Sequence, residues 1–188
     1  MTEEQKSLPQ HSSRSVEHYT PLWILDAARR VLGTIDLDPA TSSYANAKRV
    51  RAERFFTRED DGLSRDWIGR VWLNPPGGRV GARSSAAVWW EKLAHEYQSQ
   101  RVIEAVFLGF SIEILATAQD APIWPGSLPF CVPRRRIEFD RETAHGEYVS
   151  GDSPTHANII VYLPRNDTPM RSTRSFIKAF ENFGKVRP

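Results

Sequence analysis

Strand-like apolar runs alternate with segments of helical periodicity over the first 120 residues, and this alternation restricts the chain to an α/β sheet. TPLWILDAARRVL, from Thr20 to Leu32, carries apolar residues at helical spacing, with Thr20 able to cap it, Pro21 as its first residue and Gly33 as its stop. TIDL, VRAERFF and GRVWLN then read as three short strands. SSAAVWWEKLAHEYQSQ reads as an amphipathic helix, VIEAVFLGF as a buried strand, and SIEILATAQ as a helix that Ser111 can cap. Beyond Asp120 the texture becomes proline-rich and strand-like: LPFCV, RRIEFD and HANIIVYLP are strand candidates, and SFIKAFENF a short helix. The expectation is a mixed sheet flanked by helices with a strand-rich C-terminal part. Its organisation is an N-terminal arm over 1–17, a body over 18–164, and a basic tail with a short helix over 165–188.

Ligands of open α/β sheets sit beyond the carboxyl ends of the strands. That rule singles out DLDPAT after the first strand, EDDGL after the second and NPPGG after the third, and predicts that they converge. The last is the most unusual. In WLNPPGG the first proline holds Asn74 to extended geometry, and neither proline can donate a backbone hydrogen bond. Such a stiff, acceptor-rich corner either ends a strand or presents oxygen atoms to a ligand.

Composition removes several classes. With 40% hydrophobic and 26% charged residues the chain is globular, and no apolar run approaches the roughly 20 residues of a membrane span. Its polar start has no apolar core for a signal peptide, so a cytoplasmic setting is expected. One cysteine, Cys131, excludes an internal disulfide and any multi-cysteine zinc site. The five histidines, His11, His18, His95, His145 and His156, show no metal-ligand spacing, so no metal is expected. There is no nucleophile elbow and no phosphate loop. The net charge of +2 advertises no nucleic acid by itself, but Arg134, Arg135 and Arg136 form a basic run and 165–188 is rich in Lys and Arg.

YTP at 19–21, DLDPA at 36–40, FFTREDDGLSRDW at 55–67 and VWLNPP at 71–76 together resemble the phage-type DNA adenine-N6 methyltransferases, with a looser match through RRRIEFD and HANIIVYLP. The resemblance implies a Rossmann-like fold, S-adenosylmethionine as cofactor, and double-stranded DNA as partner with the target adenine flipped out, inside a bacterial host cell. It implies cofactor contacts from Tyr19, Thr20 and Pro21, from Asp38, Pro39 and Ala40, and from Asp60, Asp61, Gly62 and Leu63. Asp36, alternating with Asp38 along the strand, can share that work. Asn74, Pro75, Pro76 and Gly77 stand where the family places its catalytic corner, and Arg134 to Arg136 are candidates for phosphate contacts.

The chemistry agrees with the resemblance. An exocyclic adenine amine is a poor nucleophile, because its lone pair is delocalised into the ring. Two acceptors, the Asn74 side-chain oxygen and the Pro75 carbonyl, can take both amine hydrogens and turn the lone pair outward. The clearest departure is Gly77, where the family has an aromatic that stacks on the base. Trp89, Trp90, Tyr97 or Trp124 could replace it, the RVGARSS loop could close as a lid, or activity could be lost. RNA bases and protein amides are alternative acceptors for an Asn-Pro-Pro corner, and a non-catalytic binding module is the alternative outside enzymes.

Overall fold

The computed structural model describes residues 19–143, 147–151 and 156–188. The arm read over 1–17, and His11, His18 and His145, lie outside the described residues. In chain order the elements are α1 (Leu22–Leu32), β1 (Leu37–Asp38), α2 (Ser43–Ala45, continued by a π-helical turn over Asn46–Val50), β2 (Arg54–Phe55), β3 (Gly69–Leu73), β4 (Arg79–Val80) and β5 (Arg83–Ser84). After these come α3 (Ser85–Gln98), β6 (Val102–Gly109), α4 (Ile114–Thr117), β7 (Phe130–Pro133), β8 (Asp140–Glu142), β9 (Tyr148–Ser150), β10 (Ile159–Leu163), α5 (Pro169–Phe180) and β11 (Gly184–Arg187).

Seven strands form one sheet in the order β11-β7-β10-β6-β3-β1-β2. β2, β1, β3 and β6 are parallel, β10 runs antiparallel to both β6 and β7, and β11 antiparallel to β7. The chain leaves β1 toward β2 on one side and returns to β3 on the other. Strand order therefore reverses at β1/β3, and a crevice opens there above the carboxyl ends. This is the mixed α/β sheet that the alternating pattern predicts.

Period-two alternation divides the core between the two faces. Trp72, Val106, Leu108, Ile160 and Tyr162 meet α1 and α5 on one face, while Val71, Leu73, Ala105, Phe107 and Val161 meet α3 on the other. Burial of each large side chain contributes roughly 1.5–3 kcal/mol, so packing on both faces stabilises the sheet under the crevice. Gly69 locks the start of β3. Its φ is +93° and a Cβ there would come within 2.6 Å of the Asp36 carboxylate, so only glycine allows the approach.

Several local expectations are corrected. Pro21, not Thr20, occupies the N-cap position of α1, and its carbonyl accepts from the Ile24 and Leu25 amides. RVGARSS is no open loop: Arg79–Val80 and Arg83–Ser84 pair as a hairpin, with Gly81 supplying the positive φ of its turn. RRIEFD does not form a strand, because the Ile137 amide is taken by the Asn158 side chain, and β8 begins only at Asp140. The segment read as a basic tail is built into the fold, with Phe176 and Phe180 of α5 in the core and β11 closing the sheet edge.

Candidate active site

A cleft of about 1050 Å³ opens over the β1/β3 crevice. Its wall brings together Asp38 and Ala40 of DLDPAT and Asn74 to Gly77 of the corner with Tyr19 and Thr20, whereas of EDDGL, the third segment expected to converge, only Glu59 reaches it. Each arrives from a rigid element: Asp38 ends β1, Asn74 follows β3, and Thr20 precedes α1.

Asn74 is half-buried, Pro75 buried, and Pro76 and Gly77 exposed, so the corner is presented to the cleft and not packed into the interior. Asn74 Nδ2 donates to Thr20 Oγ1 at 3.2 Å. That bond occupies the amide's donor end and leaves Oδ1 as an acceptor. The hydroxyl read as a helix cap thus orients the side chain that the corner chemistry needs.

Asp38 is 2% exposed and accepts from the Ala40 amide at 3.1 Å. Burial pushes its carboxyl up to about 7, against the opposing pull of the Ala40 amide and the Thr41 hydroxyl. Arg49, at the end of the π-helical turn, is the second buried charge on the wall. It pairs with Asp140 at 2.9 Å and stacks over Tyr148 at 3.7 Å, yet its Nε is buried without a hydrogen-bond partner among the described residues. That Nε is enclosed within the wall, where an unpaired donor is costly.

The other candidate residues divide. Asp36 is not on the cleft wall; it forms a bidentate pair with Arg70 at 2.8 and 3.0 Å and also accepts the Arg70 amide. Burial works against the Asp36 carboxylate, but the Arg70 hydrogen bonds outweigh it and hold its pKa below the usual carboxylate range. Its work is clamping β1 to β3. Pro21 likewise starts α1 away from the cleft lining, and Pro39 abuts Gly62, where a Cβ would overlap the Pro39 carbonyl. Asp60 accepts from the Thr57 amide and hydroxyl at 2.9 and 2.8 Å, and those bonds lower its pKa. Asp61 adopts a left-handed conformation whose carbonyl accepts from Ser64, and Leu63 packs against the α3 layer. Asp60 to Leu63 therefore do not line the cleft; of EDDGL only Glu59 does, beside Thr57 and Arg58.

Thr57 and Arg58 were not among the residues expected from the sequence, and within EDDGL the expected contacts were Asp60 to Leu63 rather than Glu59. Arg49, which no motif marks, was likewise not expected. None of the aromatic substitutes considered for Gly77 lines the cleft. Trp89 and Trp90 are 7% and 0% exposed, Tyr97 donates to the Pro164 carbonyl, and Trp124 donates to the Leu115 carbonyl at 2.8 Å. Arg134 to Arg136 are exposed and leave the sheet after β7, which runs parallel to β6, so they emerge at the same sheet edge as Asn74. Among the described residues no helix is long and apolar enough to cross a membrane.

A mixed sheet of this order, with an Asn-Pro-Pro corner beside a buried acid at the reversal point, defines a protein of the Rossmann-like methyltransferase class. A comparison with curated proteins finds no match. The family model for DNA N-6-adenine-methyltransferase (Dam) matches residues 10–115, more than half of the 188-residue chain. The chain belongs to the Dam family of DNA adenine methyltransferases.

Proposed function

We propose that the chain is a phage-type enzyme that uses S-adenosylmethionine to methylate the N6 amine of an adenine extruded from double-stranded DNA, within a bacterial host cell. The observation that carries the reading is Asn74, tethered through its Nδ2 to Thr20 with its oxygen available, at a corner shared with the buried Asp38. When bound, S-adenosylmethionine supplies an electrophilic methyl on a cationic sulfur. The chain's own polar groups suit its amino-acid end. The Asp38 carboxylate matches an ammonium, and the cationic Arg49 on the same wall suits a carboxylate. Thr57 and Glu59 offer hydroxyl and carboxylate groups on the same wall for sugar and base edges.

At the corner, Asn74 Oδ1 and the Pro75 carbonyl accept the two amine hydrogens and draw the nitrogen toward pyramidal geometry. No general base is required for attack, so catalysis is placement and preorganised dipoles. Extruding the base costs a few kcal/mol, which phosphate contacts offset. Arg134, Arg135 and Arg136 are favoured for those contacts because they leave the sheet at the corner's edge.

The direct test is transfer of labelled methyl from S-adenosylmethionine to DNA lacking N6-methyladenine, to RNA and to protein in parallel, with sequencing of DNA from expressing cells for methylated adenine. Label confined to DNA adenine is expected. Label in RNA or protein would reassign the acceptor, and cofactor binding without transfer would make the chain a binding module.

Thr20→Val separates orientation from binding. Valine fills the same volume but cannot anchor the Asn74 amide, whose net hydrogen bond is worth about 1 kcal/mol. Turnover is expected to fall roughly five- to tenfold while the cofactor Kd from calorimetry stays within about twofold. Unchanged turnover would show that the corner holds Asn74 without Thr20.

A further inference from the structure

We propose that Phe110 supplies the aromatic face for the extruded base, in a second cavity on the far side of the Asn-Pro-Pro corner, an assignment that rests on the base-methylation reading above. The cavity measures about 500 Å³ and lies between the β4–β5 hairpin, the start of α3 and the segment after β6. It shares Pro75, Pro76, Gly77 and Phe110 with the main cleft, so the corner is the partition between the two.

Strand order gives each side its part. Along the carboxyl edge the strands run β2, β1, β3, β6. The charged groups suited to the cofactor follow β1 and β2, the corner follows β3, and Phe110 follows β6. Phe110 and Pro75 line both cavities and Asn74 the main cleft alone, so a base stacked on Phe110 would direct its amine edge past Pro75 toward Asn74, from the side opposite the cofactor, as attack on a methyl group demands. Flipped bases are held between aromatic or apolar faces.

Phe110 has the qualities of such a face. The residue is 42% exposed although it directly follows an almost wholly buried strand. Its backbone is fixed: the buried Asn158 side chain donates to the Phe110 carbonyl at 3.0 Å and accepts from the Ile137 amide at 2.8 Å. The His156 ring meets the Phe110 ring edge-on, with centroids 5.2 Å apart, and steadies its tilt. Gly77, where the family aromatic is missing, is open: a Cβ there would find no atom within 4 Å, and its φ is not in the left-handed region. The ring lost from one wall of the partition is thus offered from the neighbouring strand.

The test is steady-state methyl transfer to DNA by wild type, Phe110→Ala, Phe110→Leu, Phe110→Tyr and the double variant Phe110→Ala/Gly77→Phe, with cofactor Kd measured on each. Phe110→Ala and Phe110→Leu are expected to lose about ten- to hundredfold in kcat/KM for DNA with cofactor Kd within twofold, and Phe110→Tyr to stay within threefold of wild type. The double variant is expected to recover at least fivefold over Phe110→Ala, which a merely structural role for Phe110 would not produce. Full activity in Phe110→Ala, equal activity of the leucine and tyrosine variants, or no recovery in the double variant would overturn the stacking role while methylation of DNA by wild type stands. A wild type that labels no DNA would overturn both.

Discussion

Asn74→Ala is expected to lower methyl transfer to DNA by about a hundred- to thousandfold, while cofactor Kd changes by less than about twofold. The separation follows from where the side chain sits. Asn74 is bound to Thr20 through its nitrogen and offers its oxygen at the corner, whereas the buried charges suited to the cofactor are Asp38 and Arg49. Removing one preorganised group aimed at charge that develops in the transition state costs about 3–4 kcal/mol. Alanine leaves a single acceptor, the Pro75 carbonyl, so one amine hydrogen has no partner and the lone pair stays conjugated with the ring. Asn74→Asp sharpens the test. A carboxylate still accepts the amine hydrogen and can receive the Thr20 hydroxyl, so it should retain well over ten times the activity of the alanine variant. Burst and steady-state kinetics with labelled methyl would measure both. Turnover near wild type in Asn74→Ala would reduce the corner to a strand terminator.

The sheet was legible because its signals are local. The alternation of strand and helix, the carboxyl-end turns after β1 and β3, and the apolar β6 all follow from periodicity that burial enforces. Elements failed where a long-range partner decided. RRIEFD has strand composition, but Asn158, some twenty residues on, takes the Ile137 amide that a ladder would use. SIEILATAQ has helical spacing, yet only Ile114–Thr117 forms an α-helix. The site was legible in its motifs and not in its walls. Asp36 and Asp38 are equivalent in sequence, two residues apart on one strand face. Only the approach of Gly69, which brings the Arg70 amide and guanidinium onto Asp36, assigns one acid to the framework and leaves the other for the cleft. Arg49 and Phe110 carry no motif because their significance is a buried charge on the cleft wall and an exposed aromatic residue, properties that exist only after folding.

Asp38→Asn is expected to stabilise the free protein at pH 8 and weaken cofactor binding there by tenfold or more. A buried carboxyl whose pKa rises from 3.8 to about 7 is held in the native state at a cost of about 4 kcal/mol once it ionises. The direction follows from proton binding. Between those values the folded chain holds the Asp38 proton more tightly than the unfolded chain does, so this group's contribution to stability falls as pH rises from about 4 to about 7, then levels off. Asparagine keeps the acceptor for the Ala40 amide at 3.1 Å without the charge. Its melting temperature should exceed wild type by up to about 10 °C at pH 8 and match it near pH 4. Binding should show the complementary trend. A cationic ammonium next to Asp38 favours the carboxylate, so wild-type affinity for S-adenosylmethionine should climb up to about pH 7 and then flatten, with proton release on binding near pH 6. In Asp38→Asn that pH dependence should vanish along with the affinity. Calorimetry in two buffers of different ionisation enthalpy would read the released proton directly. Equal stability of the two proteins at pH 8, with unchanged affinity, would show that the Asp38 carboxylate is not the cation's partner.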